Sequence, residues 1–291
     1  LFFFTPTTAS EILSGLVGSE MCIRDSFMSA HLRSTKLSSR RNIREISMKV
    51  LLLGGNGFLG PHVVKELEGS YSLRITDIME IESPHETMRV DVSDINQVRK
   101  AAEGTDVIVN CSVLRPDRKL AFDVNTLGTY NAIKTAVELG HNRFINTGPH
   151  FTQVGPHYEK FDFEISEEVP IHSGLNLYAH SKSIGQEICQ VFSDNHDINI
   201  MTMLFLSFRD PQPNSQQSGG GTNPFSVTFP DAARAIRKGL ETNLNTLPSQ
   251  CEIFFITTDT PHGRYRNYKA KRLLGWEPHD TLEEYWRKKK Q

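Results

Sequence analysis

From Lys49 onward, short unbroken apolar runs alternate with stretches whose apolar residues recur every three or four positions. "KVLLLG" is the first run: four aliphatic residues closed by glycine, the pattern of a strand buried on both faces. Residues 58–67 then carry helical spacing. Further strand-like runs fall at 72–76 ("SLRIT"), 87–92 ("TMRVDV"), 106–110 ("DVIVN"), 143–147 ("RFINT"), 198–206 ("INIMTMLFL") and 252–258 ("EIFFITT"). Between them the spacing predicts helices from Asp94, a capping residue, to Glu103, and over 122–139 and 177–193. Another runs over 230–241, with Pro230 in its first turn, and a short one is closed by Gly275 with Pro278 just beyond. This alternation predicts an α/β doubly wound sheet, its parallel strands covered by helices on both faces. Past residue 207 the pattern loosens into a small C-terminal region. There "DPQPNSQQSGGGTNPF" (210–225) reads either as a flexible linker or as a mobile loop over a site, and the closing "RKKKQ" as a solvated end.

The first 47 residues break the pattern. The chain opens on Leu1 with "LFFF", and no apolar period follows. "GSEMCIRDS" (18–26) resembles translated sequencing adapter, which would make 1–26 an artefact and Met28 or Met48 the start. "HLRSTKLSSRRNIREIS" is rich in Arg and Ser, as transit peptides are, or is sequence read through upstream of the true start. We therefore expect one domain at 48–291, its substrate-side elements mainly in 207–291, with 1–47 outside it.

Composition adds exclusions. A balance of 38% hydrophobic and 23% charged residues is ordinary for a globular protein. A formal net charge of -2 argues against a nucleic-acid partner. No apolar run approaches the roughly 20 residues that span a bilayer. Cys22, Cys111, Cys189 and Cys251 lack metal or disulfide spacing, so free thiols in a reducing, cytoplasmic compartment are expected.

Chemistry enters with "GGNGFLG". Gly54, Gly57 and Gly60 sit between a buried strand and a helix. A first glycine lets the chain turn, a second lets a pyrophosphate approach the amides, and a third lets helix and strand pack closely. The amides opening the helix, at Phe58 and Leu59, would then face phosphate. Asp77 ends the next strand, where a carboxylate accepts both ribose hydroxyls of an adenosine and repels a 2′-phosphate, favouring NAD over NADP. Asp91 and Val92 follow the third strand, beside the adenine. "YAHSK" places Tyr178 and Lys182 four residues apart on one helix face. The ammonium would lower the phenol's pKa, so that Tyr178 exchanges a proton with a substrate oxygen during hydride transfer.

These motifs together resemble the extended short-chain dehydrogenase/reductase superfamily, in its NAD-dependent epimerase/dehydratase family. "GGNGFLG", "VDVSD", "NTLGTYN", "YAHSK" and "KAKRLLGWEP" all match, covering nearly everything after Met48. The resemblance implies a Rossmann-like sheet, NAD as cofactor and a structural Asn at Asn125. The implied cofactor-binding set is Gly54, Gly57, Phe58, Leu59, Gly60, Asp77, Asp91, Val92, Asn110, Asn125, Tyr178 and Lys182. Three departures stand out. The fifth strand ends "INTGPH", putting Gly148 or Pro149 at the family's usual hydroxyl. Either Thr147 replaces it, with Thr152 able to swing in, or the site has no third hydroxyl. After strand four, Asn110, Cys111 and Ser112 would line the nicotinamide side, with Cys111 merely packing. After strand six, Ser207 stands where the family carries a polar substrate contact. Arg115 and Arg209 lie beyond strand ends and either hold a carboxylate or phosphate or are solvated surface arginines. His150 and His157 lack convergent partners, so no metal site is expected.

Two function classes remain. In the first, an enzyme uses Tyr178, Lys182 and Thr147 on a sugar or sugar-acid hydroxyl, with Ser112, Arg115, Thr152, Ser207 and Arg209 on the substrate side. The short C-terminal region is similar to the uronate-dehydrogenase branch of the family, and a homodimer through two helices goes with the resemblance. In the second, the chain binds NAD as a sensor without turnover; the intact Tyr178 and Lys182 pair argues against it. The boundary at Met48 can be tested directly. A chain beginning there should keep its NAD affinity and melting temperature, measured by calorimetry, and a large drop in melting temperature would place 1–47 against the domain.

Overall fold

The computed structural model describes residues 48–287 other than 116, 156–162, 213, 215 and 217. All of these lie in one unit, Arg44–Gln291. Its first half runs β1 (Lys49–Leu53), α1 (Gly60–Leu67), β2 (Ser72–Asp77), β3 (Glu86–Arg89), α2 (Ile95–Ala102) and β4 (Val107–Asn110). A helical stretch follows, made of α3 (Arg118–Phe122), a π-turn (Asp123–Leu127) and α4 (Gly128–Glu138). Then come β5 (Arg143–Pro149), a 3-10 turn (His150–Thr152), α5 (Leu177–Asn195) and β6 (Asn199–Phe205). The last part holds β7 (Ser207–Arg209), β8 (Ser226–Thr228), α6 (Phe229–Glu241), β9 (Cys251–Phe255), a second π-turn (Ala270–Leu274) and α7 (Glu283–Trp286).

Seven strands form one parallel sheet in the order β3-β2-β1-β4-β5-β6-β9. Alternate strand residues face opposite ways, so each strand feeds two cores. Val50, Leu52, Val109, Ile145 and Met203 join one core with α1, α6 and the fully buried Trp276. Leu51, Leu53, Ile108, Phe144 and Ile200 join the other, under α2, α4 and α5. The order reverses between β1 and β4, and in sheets of this kind ligands bind at the carboxyl ends beside that point. The register pairs Leu53 with Thr76 and Asn110, and Asn110 with Asn146, so Gly54, Asp77, Cys111 and Thr147 emerge along one rim.

Several expected boundaries move. The helix expected from Phe122 begins at Arg118 and carries the π-turn. The third strand ends at Arg89, and β7 and β8 form a separate parallel pair that periodicity did not reveal, because three residues carry no period. Within the loop of 210–225, Gly219 and Gly221 donate backbone hydrogen bonds to Glu284 and Tyr285, so part of it is tied to α7. Asp94 does cap α2, accepting from the Asn96 and Gln97 amides. Gly275 closes its helix in the left-handed region at φ 61.

One buried carboxylate fastens the C-terminal segment. Asp231, fully buried in the first turn of α6, accepts from the His279 amide at 3.0 Å, the Asp280 amide at 3.1 Å and the Arg234 guanidinium. Its own carbonyl accepts from the Trp276 indole at 2.9 Å. Asp231→Ala would leave two amides and a guanidinium without their acceptor. A loss of roughly 2–4 kcal/mol is expected in urea unfolding; a loss under about 1 kcal/mol would show that the carboxylate does not anchor this segment.

Candidate active site

The glycine turn is set by two close approaches. Gly54 has φ +78, and a Cβ there would lie 2.7 Å from the Ser112 amide nitrogen, so the ends of β1 and β4 meet without a side chain between them. A Cβ on Gly60 would lie 2.1 Å from the Gly55 carbonyl oxygen, so α1 starts against the loop it leaves. The Gly54 and Gly55 amides both donate to the Thr76 carbonyl at 2.9 Å. Asn56 donates from its amide to Asp77 Oδ2 at 3.0 Å, and Met79 to Oδ1 at 3.1 Å. Gly57 donates to the Gly54 carbonyl at 3.2 Å, and the amides of Phe58 and Leu59 after it donate to nothing among the described residues. Two unspent donors at a helix start, behind a glycine that lines the cavity, fit a pyrophosphate. A carboxylate offers about four lone-pair sites, so Asp77 has room for two ribose hydroxyls beside its two amides. The residues present therefore fit NAD.

This loop opens into a cavity of about 540 Å3 whose other rim carries Arg115, Thr147, Tyr178 and Lys182. Asn176 caps α5, accepting from the Ala179 amide at 2.7 Å, and so sets the start of the helix that presents Tyr178 and Lys182. The Lys182 ammonium is buried and donates to the carbonyls of Ser112 at 2.7 Å and Thr147 at 3.1 Å. Burial pulls it down to about 8. The Tyr178 phenol is pushed above the ordinary tyrosine range by burial, and the Arg115 guanidinium pulls against that. Arg115 lies over the Tyr178 ring, 5.1 Å from its centroid. The cation lying over the phenol ring is thus Arg115, while Lys182, expected to lower the phenol's pKa, donates to the two carbonyls.

Other expected positions divide cleanly. Thr147 lines the cavity, its hydroxyl donating to the Asn110 carbonyl at 2.8 Å. Asn110 and Ser112 turn away from the cavity. The Asn110 amide spans Thr129 and Asn146, and its oxygen accepts from the Ser112 hydroxyl at 2.8 Å. Cys111, expected on the nicotinamide side, lines the wall, and burial holds its thiol up at about 12. Asn125 sits behind the cavity wall. It is fully buried on the π-turn, bonded to both backbone atoms of Leu114 and to the Ser181 hydroxyl. Val92 packs its side chain against Gly128 in the core, while Asp91 braces the same turn by accepting from Ser93.

Thr152, expected as a hydroxyl able to swing in, lies outside the cavity wall. It is buried and bonded to the Pro149 carbonyl and to Gln186. Ser207 is displaced by strand alternation, for its neighbours Leu206 and Phe208 face the cavity instead. Arg209 is spent on Thr222 and the Phe208 carbonyl, outside the cavity. Buried His150 stacks on Phe225 at 4.5 Å, and His157 lies outside the described residues. Among the described residues no group of three or more His, Cys, Asp or Glu could hold a metal.

The apolar wall was missed. Val113, Phe151, Phe205, Leu206, Phe208 and Phe229 line the cavity, and His62, Phe229 and Phe208 form a parallel stack with centroids 4.5 and 4.7 Å apart. The alternation of "LFLSF" was a usable signal for Leu206 and Phe208. Phe229 carried none, since only tertiary packing brings α6 to the rim.

Comparison with known proteins agrees with this geometry. The model of the NAD-dependent epimerase/dehydratase family matches residues 50–216. An NAD-dependent glucose-6-phosphate dehydrogenase from Haloferax volcanii is 23% identical over 262 residues, covering 81% of this chain and 95% of that protein. A human sterol-4-alpha-carboxylate 3-dehydrogenase (decarboxylating) is 26% identical over 135 residues, 43% of this chain and 36% of its own. Among solved structures, a mutant uronate dehydrogenase from Agrobacterium tumefaciens complexed with NAD superposes with a TM-score of 0.69 at 18% identity, covering 82% of this chain and 88% of that one.

Cofactor choice can be read at Asp77. Calorimetric titration should show tighter binding of NAD than of NADP, and Asp77→Ala should narrow the difference. A parent protein preferring NADP would end this account of Asp77.

Proposed function

The chain belongs to the NAD-dependent epimerase/dehydratase family, and from that premise we propose that it oxidises a hydroxyl of a small sugar or sugar acid, with Tyr178 as the acid/base. The observation that carries this reading is one cavity joining the glycine turn to Tyr178 and Lys182, with the cation of Arg115 in its wall. NAD, when bound, supplies the hydride acceptor. Tyr178 takes the hydroxyl proton as the carbon–hydrogen bond breaks. Lys182 spends two donors on carbonyls and keeps a third for the nicotinamide ribose. Thr147 fixes the substrate oxygen by turning its hydroxyl from the Asn110 carbonyl. The acids named for the relatives, uronate and a sugar phosphate, support an anionic substrate that Arg115 would hold.

The same reading includes a cytoplasmic location and a homodimer. Among the described residues no helix is long and apolar enough to cross a membrane. Phe122, Leu127 and Tyr130 are exposed apolar side chains around one groove that Ile188 of α5 completes, a face suited to a second copy.

The test is NADH formation with a panel of sugars and sugar acids. Tyr178→Phe should abolish it while NAD still binds. Thr147→Val keeps the shape and removes the hydroxyl, so turnover should fall by roughly a hundredfold with NAD affinity unchanged. Thr152→Val should do less. A silent Tyr178→Phe would favour an NAD-binding sensor over an enzyme.

A further inference from the structure

Arg115 is a cation in a cavity wall that contains no acidic side chain among the described residues. It forms no ion pair with a described carboxylate. Its neighbour is the Tyr178 ring, with the guanidinium carbon 5.1 Å from the centroid. Lys182, the other cation of the cavity, is held by two carbonyls. A guanidinium with no described carboxylate partner, on the exposed lip of an otherwise apolar cavity, is free to take an anion through paired donors. Taking an anion would also remove it from the phenol.

We propose that Arg115 is at once the anion-binding residue and a positioning residue for Tyr178. It holds the phenol ring before substrate arrives and moves onto the substrate's carboxylate or phosphate, which frees the phenol to meet the substrate hydroxyl. This rests on the dehydrogenase reading above and deepens it. An anionic substrate is preferred over its neutral analogue because only the anion draws Arg115 off the ring.

The groups facing Tyr178 make the charge effect assignable. Arg115 approaches from the segment after β4 and Lys182 from α5 itself. Cys111, at the end of β4, stays an uncharged thiol because burial holds it up at about 12. Thr147 and Phe151, the latter edge-on to the ring at 5.6 Å, do not ionise. Burial raises the phenol's pKa and Arg115 opposes that rise. Oxidation needs the phenolate, so activity climbs with pH through the ionisation of Tyr178. Removing Arg115 moves that limb to higher pH in kcat/KM, which reports the form without substrate, where Arg115 still lies over the ring.

Two measurements on the full chain with NAD present test this. The first is a tyrosinate absorbance titration, with the Tyr178→Phe spectrum subtracted, which needs no turnover. In Arg115→Met the Tyr178 midpoint should rise by about one pH unit, and Arg115→Lys should restore most of it. The second compares D-glucuronate and D-glucose 6-phosphate with neutral D-glucose, through kcat/KM or, where none is turned over, through dissociation constants. The preference for whichever anion is favoured should fall by about tenfold to a hundredfold in Arg115→Met, and the favoured anion tells carboxylate from phosphate. Melting temperatures confirm that the variants fold. An unmoved Tyr178 midpoint, or an unchanged anion preference, overturns the proposal. Absent turnover with both effects intact counts against the dehydrogenase reading alone.

Discussion

The buried ammonium of Lys182 is the constraint on which the rim of the cavity depends. It is only 4% exposed and pairs with no described carboxylate; its charge is met by the carbonyls of Ser112 and Thr147. A cation in such a place is costly unless its donors are satisfied. The ends of β4 and β5 must therefore come to the helix that carries it, and in doing so they bring Thr147 beside Tyr178. The cost is not fully offset, since burial still pulls the ammonium down to about 8. The site is thus held by backbone oxygens, which do not titrate, and its geometry does not hang on the charge of a second side chain.

The helix side of that arrangement is set by the π-turn at Asp123–Leu127. One extra residue in the turn aims the Asn125 side chain at Leu114 and Ser181, where it ties the segment bearing Arg115 to the helix bearing Tyr178. Gly185 permits the contact, for a Cβ there would lie 2.7 Å from the Asn125 carbonyl oxygen. Thr126 adds a hydrogen bond to the Ser181 carbonyl at 2.8 Å. A residue far inside the protein in this way fixes the distance between two residues at its cavity.

The cavity is polar only along one edge. Aromatic and aliphatic side chains make the rest, and the stack of His62, Phe229 and Phe208 closes the side next to α1. Apolar walls exclude water around the buried Lys182 and strengthen its interactions, whereas Arg115 stands exposed at the lip. This is why two cations, one bound to carbonyls and one lying over a phenol ring, differ so much in what each can offer a ligand.

The sheet and the glycine turn were legible in the chain itself. Continuous apolar runs, regular helical spacing and glycines at a strand end are local signals, and each states a backbone requirement that few other conformations meet. Gly54, Gly57, Gly60, Tyr178 and Lys182 could be picked out for the same reason: their spacing alone puts them on one turn or one helix face. What charge each residue feels, and which way it turns, was decided only by packing. Asn110 and Thr152 carry suitable chemistry, yet neighbours distant in sequence absorb their hydrogen bonds, while the Ser112 hydroxyl is taken by Asn110 two residues away and Arg209 by Thr222. Spacing puts Lys182 on the helix face of Tyr178, while packing brings the Ser112 and Thr147 carbonyls to its donors and lays Arg115 over the phenol ring. A sequence specifies which groups are available; the low-dielectric interior, where every buried donor must find an acceptor, selects which of them remain free to act.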